Sequence, residues 1–167
     1  MTSLTPFAKF LTAIIFALSL AACGDHSSHT TETGAQIIAG DLTISSSWAR
    51  AVDAPAKTSA VYMEIRNDGT TPDTLLSVRS GAAEVSEIHQ SLEQDGVAMM
   101  RRVRQLEIPA GGDVSLKPGS YHVMLINVSG DIVPDTIVPV TLTFANAGEV
   151  VVEAVAKKGN GGNKQHH

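Results

Sequence analysis

Four side chains in the middle of this 167-residue chain carry soft donor atoms: His89, Met100, His122 and Met124. Their two imidazole rings and two thioethers form a donor set with no net charge. Thioethers suit Cu(I), whereas zinc prefers Cys, His and carboxylate ligands, and calcium or magnesium require oxygen. If the four side chains converge, we expect a Cu(I) site.

Either His–Met pair alone would be weak evidence for a metal site. Methionine on a strand usually fills gaps in a core, and a single histidine is more often a hydrogen-bonded polar group than a ligand. The four residues therefore matter as a set, and their strands decide whether the set can form.

The segment YHVML, residues 121–125, has the alternation of a β-strand, with Tyr121, Val123 and Leu125 on one face. Successive side chains of a strand point to opposite faces. His122 and Met124 therefore share the other face, which is the arrangement that two ligands on one strand require.

The segment EIHQSLEQDGVAMMRR indicates a hairpin around the two-residue turn Asp95–Gly96. With that turn, Gln94 pairs with Val97 and Ser91 pairs with Met100, which brings His89 and Met100 to one face. One additional loop residue would select Met99 instead.

Short β-rich segments separated by turn sequences such as NDG, PAGG, KPG and NAG fill residues 38–157. They predict an all-β fold, a sandwich or barrel of antiparallel strands. The predicted strands are 41–49, 59–66, 74–80, 84–91, 97–106, 113–117, 120–127, 137–144 and 149–156.

The N-terminal residues 1–22 have the pattern of a secretory signal: Lys9, an apolar run, then small residues. The run ends in LAAC, which resembles the lipobox of bacterial lipoproteins. This resemblance implies cleavage before Cys23, lipidation of that cysteine, and a position on the periplasmic side of a bacterial membrane. Because Cys23 is the only cysteine, the β domain lacks the thiolate that a blue-copper site needs.

Residues 23–37 are polar and predict a flexible tether, and the Gly/Asn-rich residues 158–167 predict a disordered tail. The formal net charge of −5, without a basic cluster, argues against nucleic acid as a partner and leaves the lipid as the membrane contact. No nucleophile elbow or phosphate loop is present, so we do not expect an enzyme.

The spacing of the four donors, H-x10-M-x21-H-x-M, resembles the signature of the periplasmic PCu(A)C copper chaperones. The blocks SWARA, AVYMEIRN, DGVAMMR, IPAGG, LKPGSYHVML and VPVTLTF are similar to those of the same family and span nearly all of the β domain. Gln90 departs from the pattern, because the family often has a second methionine after the first histidine.

The resemblance implies a cupredoxin-like Greek-key fold that binds one Cu(I) through His89, Met100, His122 and Met124. It also implies delivery of copper to the dinuclear centre in the copper-bearing subunit of cytochrome c oxidase, with Sco-type thioredoxin-like proteins as further partners. An alternative is a periplasmic copper-buffering or tolerance lipoprotein without a dedicated oxidase acceptor. A third is an interaction module in which these histidines and methionines are structural.

Two further pairs of histidines lie near the chain ends: His26 and His29 in the tether, and His166 and His167 in the tail. Imidazole suits Cu(II), and His-rich tracts can recruit metal. We therefore hold an auxiliary Cu(II) role for these four residues as a hypothesis.

Overall fold

The computed structural model describes residues 35–53, 55–94 and 96–159, which form eleven strands and no helix. The strands are β1 (Ile37–Ala39), β2 (Leu42–Arg50), β3 (Thr58–Asn67), β4 (Asp73–Arg79), β5 (Ala83–Gln94), β6 (Val97–Val103), β7 (Leu106–Ile108), β8 (Asp113–Leu116), β9 (Tyr121–Val128), β10 (Ile137–Phe144) and β11 (Gly148–Lys157). The all-β prediction is confirmed. Within these residues there is accordingly no helix long and apolar enough to cross a membrane.

The strands follow one another in the order β6-β5-β9-β8-β3-β2-β11-β10-β4-β7, with β1 paired to β2 and a further pairing between β9 and β3. The sheet curls around one core without closing. Most neighbours are antiparallel, but β11 runs parallel to β2 and β8 makes a short parallel contact with β9. This is the cupredoxin-like Greek-key arrangement that the family resemblance implies, with two parallel pairings added.

The core is built from the alternating apolar residues of each strand. In β10 the buried side chains are Val138, Val140, Leu142 and Phe144, while the intervening residues are at least partly exposed. In β9 the period of two buries Val123 and Leu125 against the core. The same period turns His122 and Met124 to the opposite face of the sheet.

Eight of the nine predicted strands correspond to observed ones, and the predicted strand 97–106 is wrong as a single element. The chain leaves the sheet edge after Val103, and Leu106–Ile108 pairs with β4 at the other end of the strand order. β1 was not predicted. It forms a hairpin with β2 across Gly40, whose φ of 59° is the left-handed conformation that glycine adopts without strain.

Seven residues that the sequence analysis named lie outside the described residues: Lys9 and Asp95, together with Cys23, His26, His29, His166 and His167. The lipidation and auxiliary-metal interpretations of these residues remain predictions.

Candidate metal centre

The β5–β6 hairpin has the predicted register. Gln94 pairs with Val97, and Ser91 pairs with Met100. His89 and Met100 therefore lie diagonally across the two strands on one face, within reach of a long unbranched side chain. Met99 pairs with Leu92 and lies on the other face.

Strand β9 pairs with β5 on the side opposite β6. Its register brings the second His–Met pair to the same face as the first. His122 pairs directly with His89, and Met124 pairs with Glu87. Because directly paired residues share a face, all four predicted ligands lie on one face of three adjacent strands. The rings of His89 and His122 have centroids 6.0 Å apart.

The solvent exposure of the four side chains differs between these strands and is highest on β6. His122 is 4% exposed, Met124 is half-buried, the side chain of His89 is 15% exposed, and Met100 on edge strand β6 is 54% exposed. One end of the set is therefore fixed within the domain. The other end, at Met100, is accessible from solvent.

The imidazole of His122 is held by the backbone of the preceding turn. Its Nδ1 lies 3.1 Å from the carbonyl oxygen of Ser120, so Nδ1–H donates and Nε2 keeps the lone pair. Burial lowers the pKa of His122, and the nearby His89 and Arg50 act in the same direction, against the Ser120 hydrogen bond. The ring is therefore neutral at neutral pH, as a metal ligand must be.

The imidazole of His89 is held by a carboxylate. Its Nε2 lies 2.9 Å from Oε2 of Glu87, whose Oε1 in turn lies 3.1 Å from Nη1 of Arg102. The other ring nitrogen, Nδ1, is buried and has no hydrogen-bond partner among the described residues. A buried nitrogen without a partner costs free energy unless something binds it.

An aromatic pair lies beside the buried end of the set. The Tyr62 ring is 6.3 Å from the His122 ring and 4.4 Å from the ring of Trp48, measured between centroids. Burial raises the pKa of Tyr62 against the opposing charge of Arg50. The two rings pack on the β3 side of His122, and the Arg50 guanidinium places a positive charge close enough to oppose the raised pKa of Tyr62 and to add to the lowering of the pKa of His122.

Within the described residues, no three His, Cys, Asp or Glu side chains come together as metal ligands. The side chains with soft donor atoms that share this face are the two imidazoles and the thioethers of Met100 and Met124. Such a mixed nitrogen and sulfur set suits Cu(I), and the unpartnered Nδ1 of His89 is consistent with a ligand role.

Two features of the face were missed from the sequence. Glu87 contacts His89, and the signal for it was present, because residues two apart on a strand share a face. Tyr62 lies on β3, far from the motif in sequence, and only the pairing of Val61 with Val123 brings it beside His122. No local signal predicts that pairing.

Comparison with known proteins gives a family and a fold. Residues 42–156 match the family described as "Putative lipoprotein LpqE-like". The "Putative lipoprotein Lxx21020" of Leifsonia xyli subsp. xyli (strain CTCB07) is 25% identical over 99% of each chain.

Two solved structures with similar folds are copper-loaded. The copper-bound PCuAC domain from PmoF2 has a TM-score of 0.64 and 25% identity, covering 74% of this chain and 98% of that one. The CuI-DR1885 solution structure from Deinococcus radiodurans has a TM-score of 0.56 and 26% identity, covering 69% and 78%.

Proposed function

This chain belongs to the LpqE-like lipoprotein family, and we propose that it is a copper carrier that binds one Cu(I) through His89, Met100, His122 and Met124. The observation that carries the proposal is the pairing of His89 with His122, flanked by the two methionines on the same face. The copper-loaded state of the PmoF2 and DR1885 neighbours supports the choice of metal.

Copper is cargo in this proposal, so the site must both hold and release it. The buried His122 and its neighbour His89 provide a rigid half of the site, whereas Met100 stands exposed on an edge strand. An incoming ligand from an acceptor can replace the exposed thioether first. Copper then leaves by stepwise ligand exchange without unfolding of the core. No catalytic step is involved.

The acceptor that we propose is the dinuclear copper centre of cytochrome c oxidase, with Sco-type proteins as partners. The family resemblance and the predicted lipid anchor at Cys23 support it, because both acceptor and carrier would then lie at a membrane. A copper-buffering or tolerance lipoprotein remains the second candidate. An auxiliary Cu(II) role for His26, His29, His166 and His167 is a separate hypothesis, which deletion of these residues and measurement of Cu(II) stoichiometry would test.

An anaerobic Cu(I) titration of the soluble domain against a competing chelator tests the site. We expect one tight equivalent for the wild type. Met124→Leu and His122→Gln each remove one donor, so the affinity should fall roughly tenfold or more, or about 1.4 kcal/mol per tenfold. Met63→Leu is the matched control, because Met63 is 1% exposed in the core and away from this face.

Because His122 is buried, thermal unfolding of each metal-free variant must accompany the titration. A folded Met124→Leu protein with undiminished Cu(I) affinity would contradict the proposed site. If the Cu(I) affinity of the Met63→Leu control fell by the same factor, the effect would come from the fold and not from a lost ligand.

The acceptor is tested in cells. Deletion of the gene should reduce cytochrome c oxidase activity at low copper, and added copper should restore it. Normal oxidase activity combined with sensitivity to excess copper would contradict delivery and favour the buffering function.

A further inference from the structure

The ligand face is the face of β5, β6 and β9 that carries His89, Met100, His122 and Met124. Glu87 also lies on this face and contacts two neighbouring side chains, but it is not one of the proposed ligands. Its Oε2 lies 2.9 Å from Nε2 of His89, and its Oε1 lies 3.1 Å from Nη1 of Arg102. Arg102 pairs directly with His89 across the β5–β6 hairpin. The carboxylate is therefore held between a cation and an imidazole, and its side chain is only 19% exposed.

The Glu87 contact determines which nitrogen of His89 carries the proton. An ionised carboxylate only accepts hydrogen bonds, so Nε2 of His89 must donate. In the neutral ring the lone pair then lies on Nδ1. That atom is buried and has no partner among the described residues, so it is the donor that remains for a metal.

His122 has the opposite arrangement. The carbonyl oxygen of Ser120, which likewise only accepts, lies 3.1 Å from Nδ1. Nδ1–H therefore donates to it, and the lone pair is on Nε2. The two paired histidines thus present different nitrogens, although they sit on adjacent strands in equivalent positions.

We propose that Cu(I) binds Nδ1 of His89 and Nε2 of His122, and that Glu87 is the positioning residue that selects Nδ1 by holding Nε2–H. This assignment rests on the proposed copper site and specifies its chemistry. Partners that fix the tautomer and orientation of a ligating histidine commonly influence metal affinity by about 10- to 100-fold. The second oxygen of Glu87 contacts Nη1 of Arg102 at 3.1 Å, so the carboxylate already has two partners.

The first test is made on the metal-free protein by ¹⁵N-resolved NMR of the histidine rings at mildly alkaline pH. We expect Nε2–H for His89 and Nδ1–H for His122. On addition of Cu(I) under anaerobic conditions, the ¹⁵N signals that shift most should be Nδ1 of His89 and Nε2 of His122.

The second test uses variants of Glu87. Glu87→Leu should reduce Cu(I) affinity about 10- to 100-fold and allow the His89 ring to reorient. Glu87→Gln should restore most of the affinity, because the amide oxygen can still accept from Nε2–H. Glu84→Leu is the matched control: Glu84 is exposed on the same strand and contacts Asn127, away from the ligand face.

The outcomes separate this assignment from the proposed function. Two results would overturn the assignment without contradicting the copper site. One is tight Cu(I) binding in which the signal of Nε2 of His89 shifts most. The other is a Cu(I) affinity of Glu87→Leu that equals that of Glu84→Leu. Failure of Glu87→Gln to restore affinity would also overturn it, since the hydrogen bond would then not be the cause. A wild-type protein that binds no Cu(I) would overturn both.

Discussion

At the scale of single residues, the face combines donors of very different exposure. His122 is nearly as buried as the core, and Met100 is open to solvent. Burial of His122 favours its neutral, ligating form, while exposure of Met100 allows a second molecule to approach the metal. A carrier needs both properties, and each comes from a side chain in a different position on the sheet.

Met100 and Met99 provide a matched pair for this argument. Both are exposed, at 54% and 39%, but only Met100 shares the face of His89. Met100→Leu should lower Cu(I) affinity roughly tenfold or more, or about 1.4 kcal/mol per tenfold, because one thioether donor is lost. Met99→Leu should leave the affinity unchanged. Chelator competition measures both, and equal effects of the two substitutions would show that the register argument does not describe the site.

At the scale of elements, the β5–β6 hairpin shows what the sequence could predict. The Asp-Gly turn determines the pairing of a hairpin locally, so the face of Met100 followed from alternation alone. The pairing of His89 with His122 did not, because β5 and β9 are distant in sequence and their contact depends on the whole sheet. The family resemblance supplied that step.

The separation of β6 from β7 shows the opposite case. Residues 97–108 contain no Gly, Pro, Asn or Asp, so no turn residue marks the point where the chain changes partner. Val103 pairs with Ile88 in β5, whereas Leu106 pairs with Leu75 in β4. Only the competition between two non-local pairings decides this division, and single-sequence patterns do not contain it.

Asp73 fixes the start of β4 to the turn between β10 and β11. Its carboxylate accepts hydrogen bonds from the N–H groups of Thr74, Asn146 and Ala147, at 2.6, 2.9 and 3.0 Å. Burial raises the pKa of Asp73, but the hydrogen bonds from the backbone around it outweigh burial, and the pKa lies below its ordinary value.

Asp73→Asn should destabilise the metal-free domain by about 1–3 kcal/mol at neutral pH, because the amide NH₂ cannot accept from the backbone. The pKa of Asp73 is lower in the folded protein than in the unfolded chain, where it is about 3.9. The ionised carboxylate therefore stabilises the fold at pH values above the unfolded pKa. This stabilisation is lost as the pH falls through the lower folded-state pKa, so the wild-type advantage should shrink there. Urea unfolding at several pH values measures the difference in free energy of unfolding between the wild type and Asp73→Asn. Asp113→Asn, at an exposed position, is the control. A difference that does not change with pH would contradict this role of Asp73.

At the scale of the whole molecule, the order of strands leaves β6 at one end of the open sheet. The face that carries the four proposed ligands therefore reaches an edge of the sheet, and in the proposed site an acceptor would contact the bound copper there. If Cys23 is lipidated as predicted, a tether of about fifteen residues, with a typical reach of roughly 20 Å, would keep the β domain near a membrane. The sequence predicts the tether from its composition and the anchor from the resemblance of LAAC to a lipobox, but no pattern indicates how the domain meets its acceptor.

The anchor is tested by Cys23→Ala in the full-length protein expressed in bacteria. The substitution removes the thiol that would carry the lipid, so incorporation of labelled fatty acid should be abolished. Cu(I) binding by the full-length variant should be unchanged, because residue 23 lies outside the β domain. Persistent labelling of the variant would exclude Cys23 as the lipidation site.

The most direct measurement of the central claim is X-ray absorption at the copper edge of the Cu(I)-loaded domain, for the wild type and for Met100→Leu. The proposed site predicts a reduced copper ion with two nitrogen and two sulfur neighbours in the wild type and one fewer sulfur in the variant. A copper ion with only nitrogen or oxygen neighbours, or a sulfur count that is the same in both proteins, would contradict binding through His89, Met100, His122 and Met124.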